Sequence, residues 1–499
     1  MITKSGNLKK YYIFIIIVIW LFYSLIWLDK YPLLFMDENW DLVTPYSVIT
    51  KGKFATPFLS EIFSEHFRRV EPRLFHLVLF IPFGYIFGVS HITARILTVL
   101  LGLGSIVFLF YLMKKYLDDN VAFAGSLLLI TETLFWTISR SYRPEIGLTF
   151  ITIASFYFLD KVINKSNLSS WFMLGLFTGI GGWTHLNFVF IAIGIFIFLL
   201  FHYKTRLLKD RGFYYYLIGG IIGFLPFALW ILYSGINLFH EQTIALRSDR
   251  TGPFSSLLTL LNTIYLEGRR YSNVILFPKR ILVFIIEIGS LIYIFKKRKK
   301  NPTFLGILFV SVFYMICIAA FITHKTPRYI ACLIPVFVFS IMILLKDLYE
   351  TGYKKIAYTI FTIFLLNNLA GNAFVLYRDR NESYSIVREK IRNVIPMNAR
   401  IFGSTNLWLA LKENEYLITD YFRIDGFLKF DPDYIVLINP DSRYVRTSQI
   451  IEAPYNESID NYKYFYDWMK DYVFYSGGKL IGTYEVGRYG PIDVFKVRK

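Results

Sequence analysis

Residues 11–28 read YYIFIIIVIWLFYSLIWL, and the polar stretch at residues 34–41 that follows them reads LFMDENWD. The first stretch is apolar throughout and is long enough to cross about 30 Å of hydrocarbon as a helix. Comparable apolar runs recur along the chain as far as residue 376. These runs predict a polytopic α-helical membrane protein.

The composition supports a membrane protein and indicates which kinds of binding partner to expect. Of 499 residues, 55% are hydrophobic and 18% are charged, and the mean hydropathy is +0.45. The net charge of +18 falls mostly in clusters between apolar runs, where positive loops fix orientation. No groove of basic and aromatic residues indicates nucleic-acid binding. Cys317 and Cys332 both lie in apolar runs, which excludes a disulfide framework. We therefore expect membrane lipid, and not nucleic acid, as a partner.

The basic clusters also indicate how the chain crosses the membrane. If run 74–90, which contains Pro82, lies in the outer interface, all six basic clusters between the other runs fall on the cytoplasmic side. This arrangement predicts about eleven spans in an inner or plasma membrane, with a cytoplasmic N-terminus and an extracytoplasmic C-terminus. The candidate runs are 11–28, 74–90, 93–113, 121–138, 145–160, 171–186, 187–203, 213–233, 280–295, 303–322, 329–345 and 356–376.

The composition changes after residue 376, where the apolar runs stop. Pieces typical of strands follow at 399–403, 416–422 and 434–439, and the segments 479–486 and 492–497 flank a Gly-Arg-Tyr-Gly-Pro turn as a hairpin would. We therefore predict two domains. Residues 1–376 form a transmembrane domain whose first external loop is 29–92, and residues 377–499 form a small extracytoplasmic α/β domain.

Asp37 and Glu38 stand just beyond the first apolar run, on the predicted extracytoplasmic side. A carboxylate there can act as a general base toward a hydroxyl group within hydrogen-bond reach. The alternative is a solvated turn that caps the helix following it.

Two loops on the same predicted side carry positive charge, against the usual orientation bias. Residues 140–145 read RSYRPE, and residues 324–329 read HKTPRY. A bound phosphate would explain cations in this position. The structural alternatives are a helix N-terminus that favours Glu145 and an anchor for lipid headgroups.

A third loop, residues 183–187, reads WTHLN and is a weaker candidate for substrate binding. A single histidine between spans, His185, is more often a satisfied interfacial residue. No spacing of His, Cys, Asp or Glu supports a metal site, and we expect none.

The order and sidedness of these motifs resemble membrane glycosyltransferases of the GT-C fold. The resemblance is to the dolichyl-phosphate-mannose–protein mannosyltransferases and their bacterial relatives, including the lipid A aminoarabinose transferases. Segments 39–54 and 89–100, with Arg95 opening a span, are also similar to this group. The resemblance covers about residues 10–345.

This resemblance implies an enzyme that moves a hexosyl or pentosyl group from a polyprenyl-phosphate carrier to an acceptor hydroxyl on the extracytoplasmic face. Asp37 would be the general base, supported by Glu38, and a direct displacement would invert the anomeric centre. The donor phosphate would be held by Arg95, Arg140, Arg143, Lys325 and Arg328. Candidate substrate contacts are Glu145, His185, Asn187, His324 and Tyr329. The polyprenyl-phosphate sugar is the donor substrate, no further cofactor is implied, and dependence on a divalent metal is left open.

Other functions compete with this one. A glycan polymerase or ligase would consume a diphosphate-linked oligosaccharide. A transporter or flippase for lipid-linked sugars would place ionisable residues at mid-membrane depth, whereas here the charges concentrate on one face. A structural membrane protein would leave the outward cationic loops unexplained. Protein, lipid and polysaccharide all remain open as acceptors.

Overall fold

The computed structural model of the protein describes residues 9–57, 69–70, 73–165, 167–248, 261, 267, 281–298, 301–322, 326–419, 424–440, 442 and 457–497. A helix or a pair of helices overlaps each of the twelve predicted apolar runs. In chain order they are α1 (Tyr12–Leu25), α2 (Met36–Lys51), α3 (Leu74–Phe87), α4 (His91–Tyr116), α5 (Asp119–Thr131), α6 (Thr133–Ser139), α7 (Pro144–Lys165), α8 (Leu168–Gly181), α9 (Phe188–Tyr203), α10 (Arg211–Ser234), α11 (Ile236–Ser248), α12 (Ile281–Arg298), α13 (Pro302–Phe321), α14 (Ile334–Glu350), α15 (Lys354–Arg378), α16 (Tyr384–Arg392), α17 (Ile424–Phe430) and α18 (Glu457–Tyr475). Short 3-10 segments occupy Lys204–Lys209, Pro327–Leu333 and Thr405–Ala410.

The helices confirm an integral membrane protein. Among the described residues, seven helices are long and apolar enough to cross a membrane, and the bent pair α5 and α6 would make an eighth. α1, α3 and α8 are shorter apolar helices of 14 residues each. α3 continues through Pro82 and ends before Gly88, whose φ of 79° favours glycine. The count of eleven spans and the interfacial position of α3 stay predictions.

The strands that were predicted after residue 376 form one five-stranded sheet. They are β1 (Arg400–Gly403), β2 (Glu415–Ile418), β3 (Tyr434–Ile438), β4 (Lys479–Tyr484) and β5 (Ile492–Lys496), in the order β2-β1-β3-β5-β4. β1 pairs in parallel with β2 and β3, whereas β5 runs antiparallel to β3 and forms the predicted hairpin with β4. β2 is shorter than predicted, and residues 420–422 of that prediction lie outside the described residues.

The sheet is stabilised by an apolar core that the helices α17 and α18 complete. Phe402, Ile435 and Phe495 on the strands pack with Phe427 of α17 and Met469 of α18. All five side chains are at most 4% exposed, so burial of apolar surface holds these elements together.

The chain divides into two compact units. Unit 1 consists of residues 1–26, 70–76 and 96–375 and contains most of the apolar helices. Unit 2 consists of residues 27–69, 77–95 and 376–499. The first loop of the sequence therefore belongs largely to the same unit as the C-terminal sheet.

The predicted run 121–138 is broken in two within unit 1. α5 ends at Thr131, α6 begins at Thr133, and the two axes are bent by 66°. Glu132 lies at the break, where its Oε2 accepts a hydrogen bond of 2.7 Å from the backbone N–H of Phe135. Asn372 of α15 donates from Nδ2 to the freed carbonyl of Thr131 over 2.8 Å, and the N–H of Thr133 donates to Asn368 Oδ1 over 3.3 Å. Two asparagines one turn apart thus satisfy the backbone groups that the break exposes.

α8 and α10 of unit 1 are packed backbone against backbone. A Cβ added at Gly175 would overlap the carbonyl oxygen of Tyr216, and one added at Gly179 would overlap that of Gly220. The same holds from the other side for Gly219 and Gly223 of α10. Small residues are what allow two membrane helices to approach this closely.

Gly179→Ala is therefore expected to destabilise unit 1, because the added methyl group has to push α8 away from α10. We expect a loss at the upper end of the roughly 1–3 kcal/mol that overpacking costs, seen as a lower melting temperature in detergent. The matched control is Gly289→Ala in α12, where an added Cβ meets no atom within 4 Å. Equal melting temperatures for the two variants would contradict the close packing.

Candidate functional site

The first turn of α2 in unit 2 carries Asp37 and Glu38. α2 begins after Phe35, whose backbone N–H donates to Glu38 Oε1 over 3.2 Å and so fixes the start of the helix. Asp37 is half-buried and Glu38 is fully buried. The positive end of the helix dipole stabilises negative charge in this turn.

Glu38 and Arg95 form a two-point ion pair. Arg95 Nε donates to Glu38 Oε2 over 2.9 Å and Nη2 donates to Oε1 over 2.8 Å, while Nη1 donates to the carbonyl oxygen of Leu28 over 2.8 Å. Neither side chain is exposed to solvent. These contacts favour a positioning role for both residues, and the phosphate contact that the sequence predicted for Arg95 stays a prediction.

Residues far along the chain hold the start of α2 as well. The N–H of Leu34 donates to the hydroxyl oxygen of Tyr489 over 2.6 Å. Burial raises the pKa of Tyr489, so this phenol stays neutral. Asn39 donates from Nδ2 to the carbonyl of Asn406 over 3.3 Å and accepts at Oδ1 from the N–H of Leu409 over 3.2 Å. Sequence reasoning identified neither Tyr489 nor Asn39.

Another carboxylate in unit 2, that of Asp29, forms a hydrogen bond at each of its two oxygens. His91 Nε2 lies 2.6 Å from Asp29 Oδ1, and Ser383 donates to Oδ2. Burial alone would raise the pKa of Asp29, but the hydrogen bonds from His91 and Ser383 outweigh it and lower the pKa. Asp29 is therefore ionised at neutral pH and connects the segment after α1 to the start of α4 and of α16.

Arg143, Glu145 and Arg328 come together in unit 1, as the two cationic loops predicted. Arg143 Nε lies 3.3 Å from Glu145 Oε2, and Arg328 Nε lies 3.8 Å from Oε1. The side chain of Glu145 is 2% exposed, that of Arg143 is 7% and that of Arg328 is 17%. Arg73, which was not predicted, also acts electrostatically on Glu145. Two guanidinium groups therefore pair with one carboxylate, and a third acts on it electrostatically.

His185 and Tyr329 belong to the same arrangement. His185 acts electrostatically on Glu145, and its ring lies edge-on to that of Tyr329 with 5.6 Å between the centroids. The carbonyl of Tyr329 accepts a hydrogen bond of 2.6 Å from the hydroxyl of Tyr314. Asn187 is 3% exposed, and its N–H donates to His185 Nδ1 over 3.1 Å. The structure thus brings three of the predicted substrate contacts, together with Glu145, to one place.

Arg140, a predicted phosphate ligand, contacts the end of the first apolar helix. Its guanidinium group donates to the carbonyl oxygens of Ser24 and Ile26 over 2.8 Å each, and it lies 4.5 Å from the ring centroid of Trp136. These carbonyl oxygens lie at the C-terminal end of α1 and have no partner within that helix. The contacts favour a structural role for Arg140 at the end of the first apolar helix.

The predicted residues His324 and Lys325 lie outside the described residues. Within the part of the chain that the structure describes, no group of three or more His, Cys, Asp or Glu residues is arranged to hold a metal ion.

Comparisons with known proteins agree with this architecture. Residues 75–230 match a family model described as dolichyl-phosphate-mannose-protein mannosyltransferase. An uncharacterized protein of Aquifex aeolicus (strain VF5) is 24% identical over 365 residues, which cover 70% of this chain and 81% of the relative.

Two solved structures share the fold. ArnT from Cupriavidus metallidurans, bound to undecaprenyl phosphate, superimposes with a TM-score of 0.63 and 11% identity over 96% of this chain and 97% of that chain. The Archaeoglobus fulgidus oligosaccharyltransferase, tethered to an acceptor peptide, gives a TM-score of 0.57 and 10% identity over 89% of this chain and 71% of that chain. The chain therefore has the GT-C fold of these membrane glycosyltransferases and resembles the dolichyl-phosphate-mannose-protein mannosyltransferases in sequence over residues 75–230.

Proposed function

We propose that this protein transfers a sugar from a polyprenyl-phosphate carrier to an acceptor hydroxyl on the extracytoplasmic face of the membrane. The observation that carries the proposal is the set of guanidinium groups at the buried carboxylate of Glu145, formed by Arg143, by the half-buried Arg328 and, electrostatically, by Arg73. Guanidinium groups that converge on one place attract an anion. Arginine binds phosphate oxygens through its planar, forked donors.

The similar proteins indicate which anion fits. The family model is named for enzymes that use a dolichyl-phosphate sugar, and the ArnT structure contains undecaprenyl phosphate. We therefore assign the cluster to the phosphate of a polyprenyl-phosphate sugar. Negative charge grows on that phosphate as the glycosidic bond breaks, and preorganised cations in a site sheltered from water stabilise it. Arg328 and Arg143 are the main contacts in this proposal.

Asp37 is the proposed general base. Its carboxylate accepts the proton of the acceptor hydroxyl, whose oxygen then attacks the anomeric carbon while the bond to the phosphate oxygen breaks. A single displacement of this kind inverts the anomeric centre. Glu38 does not share the proton transfer, because Arg95 and Phe35 already occupy its carboxylate oxygens. Its part is to hold the turn that presents Asp37.

The proposal is tested by mass spectrometry of polyprenyl-linked lipids in cells that lack the gene. The null strain is complemented with wild type, with Arg328→Ala, or with the control Arg388→Ala. Arg388 is 51% exposed and pairs with Glu413 at the surface, where an ion pair contributes little. We expect one monophosphate-linked sugar to accumulate in the null and Arg328→Ala strains and to clear with wild type and with the control.

Three other outcomes would contradict the proposal. Accumulation of a diphosphate-linked oligosaccharide would indicate a polymerase or ligase. No change in any of these lipids between null and wild type would favour a transporter. If Arg328→Ala clears the lipid as fast as wild type does, the arginine cluster does not hold the donor.

A further inference from the structure

Asn187 lies at the N-terminal boundary of α9 and is 3% exposed. An asparagine in this position usually accepts a hydrogen bond from the first turn of its helix. Here the backbone of Asn187 is already helical, and its side chain makes no capping hydrogen bond. Capping therefore does not account for this buried amide.

The side-chain nitrogen of Asn187 is a buried donor without an acceptor among the described residues. Leaving such a group unsatisfied costs free energy, and an acceptor that enters with a ligand removes this cost. The group is also uncharged, unlike the arginines near Glu145. It therefore does not require an anionic acceptor and can donate to a neutral oxygen.

His185 contacts the backbone of Asn187. His185 Nδ1 accepts the backbone N–H of Asn187 over 3.1 Å. The same ring lies against Tyr329 and acts electrostatically on Glu145. One turn between α8 and α9 thus joins the uncharged donor to the cationic cluster.

We propose that Asn187 Nδ2 donates a hydrogen bond to an oxygen of the donor sugar, a hydroxyl or the ring oxygen, beside the phosphate held by Arg143 and Arg328. This inference rests on the proposed function and adds a contact that recognises the sugar. The arginines recognise the charge that every polyprenyl phosphate shares. Asn187 distinguishes a carrier that bears a sugar from one that does not.

Binding measurements on the full chain in lipid nanodiscs test the inference. The probes are undecaprenyl phosphate and a panel of undecaprenyl-phosphate hexoses and pentoses. For Asn187→Leu we expect about 3- to 10-fold weaker binding of the sugar-bearing lipid that wild type binds best, the loss of one neutral hydrogen bond. Binding of undecaprenyl phosphate should change less than about 2-fold, which is below the effect of one such bond.

The other outcomes overturn it. An equal loss for both lipids would place the amide on the phosphate. No loss for either, or a wild type that binds no sugar-bearing lipid better than undecaprenyl phosphate, would remove the sugar contact. The proposed function fails separately if the Arg328→Ala variant binds undecaprenyl phosphate as tightly as the wild-type protein does.

Melting temperatures of the lipid-free protein separate a binding role from a structural one. Asn187→Leu replaces an unsatisfied buried amide by an apolar group, so we expect an equal or higher melting temperature. The control Asn372→Leu removes the bond to Thr131 and is expected to lower it. A drop for Asn187→Leu that matches the control would show that Asn187 supports the fold, and would overturn the inference.

Discussion

Asp37→Asn is expected to slow sugar transfer by about 10²- to 10⁴-fold, the range that a positioned general base contributes. The amide has the shape of the carboxylate but does not take up the proton of the acceptor hydroxyl. The change also removes the interaction of one charge with the dipole of α2, which is worth about 0.3–1 kcal/mol. Clearance of the accumulated donor lipid in the complemented null strain measures the rate, and a melting curve checks folding.

The matched control is Asp41→Asn, one turn further along α2. Asp41 accepts from Arg69 Nη2 over 2.9 Å, and both side chains are buried. The control should therefore lose stability, whereas Asp37→Asn should lose turnover at nearly unchanged stability. Donor clearance by Asp37→Asn at the wild-type rate would show that another group is the base.

Arg95→Met is expected to destabilise unit 2 by about 3–5 kcal/mol, because it leaves the carboxylate of Glu38 buried without its partner. No other single change discussed for unit 2 should lower the stability as much. Thermal or chemical unfolding in detergent measures it. Activity should fall together with stability, since the turn that carries Asp37 loses its anchor.

The double variant Glu38→Gln/Arg95→Met separates positioning from phosphate binding. Removing both charges should recover much of the lost stability, and glutamine still offers an acceptor to the N–H of Phe35. If Arg95 only positions, the double variant binds undecaprenyl phosphate as wild type does. A stable double variant that no longer binds this lipid would support the phosphate contact that the sequence predicted for Arg95.

The predictions from the sequence were most accurate where the signal is local. A helix or a pair of helices overlaps each of the twelve apolar runs, and β1, β3 and the hairpin of β4 and β5 lie where composition and turn residues placed them. Each of these elements is specified by the polarity of consecutive residues. The cationic loops were found because positive charge on the predicted outer side is unusual, and Arg143 and Arg328 do meet at Glu145.

Pairing between distant residues was not predictable in the same way. Glu38 and Arg95 are 57 positions apart, and no periodic pattern relates them. The motif of Arg140 gives its charge but not its contacts with the carbonyl oxygens at the end of α1, and its phosphate contact stays a prediction. The break at Glu132 was missed because an apolar run does not reveal that a carboxylate within it can start a new helix.

The hydrogen bond between Leu34 and Tyr489 joins positions 455 residues apart. During biosynthesis, the segment before Asp37 leaves the ribosome long before the hairpin that secures it. Closing so long a loop is entropically costly and belongs to the late steps of folding. The segment before the proposed base is therefore fixed only after the hairpin of β4 and β5 has formed. A nascent chain would therefore acquire the proposed activity only after all its apolar helices had been inserted and the sheet had closed.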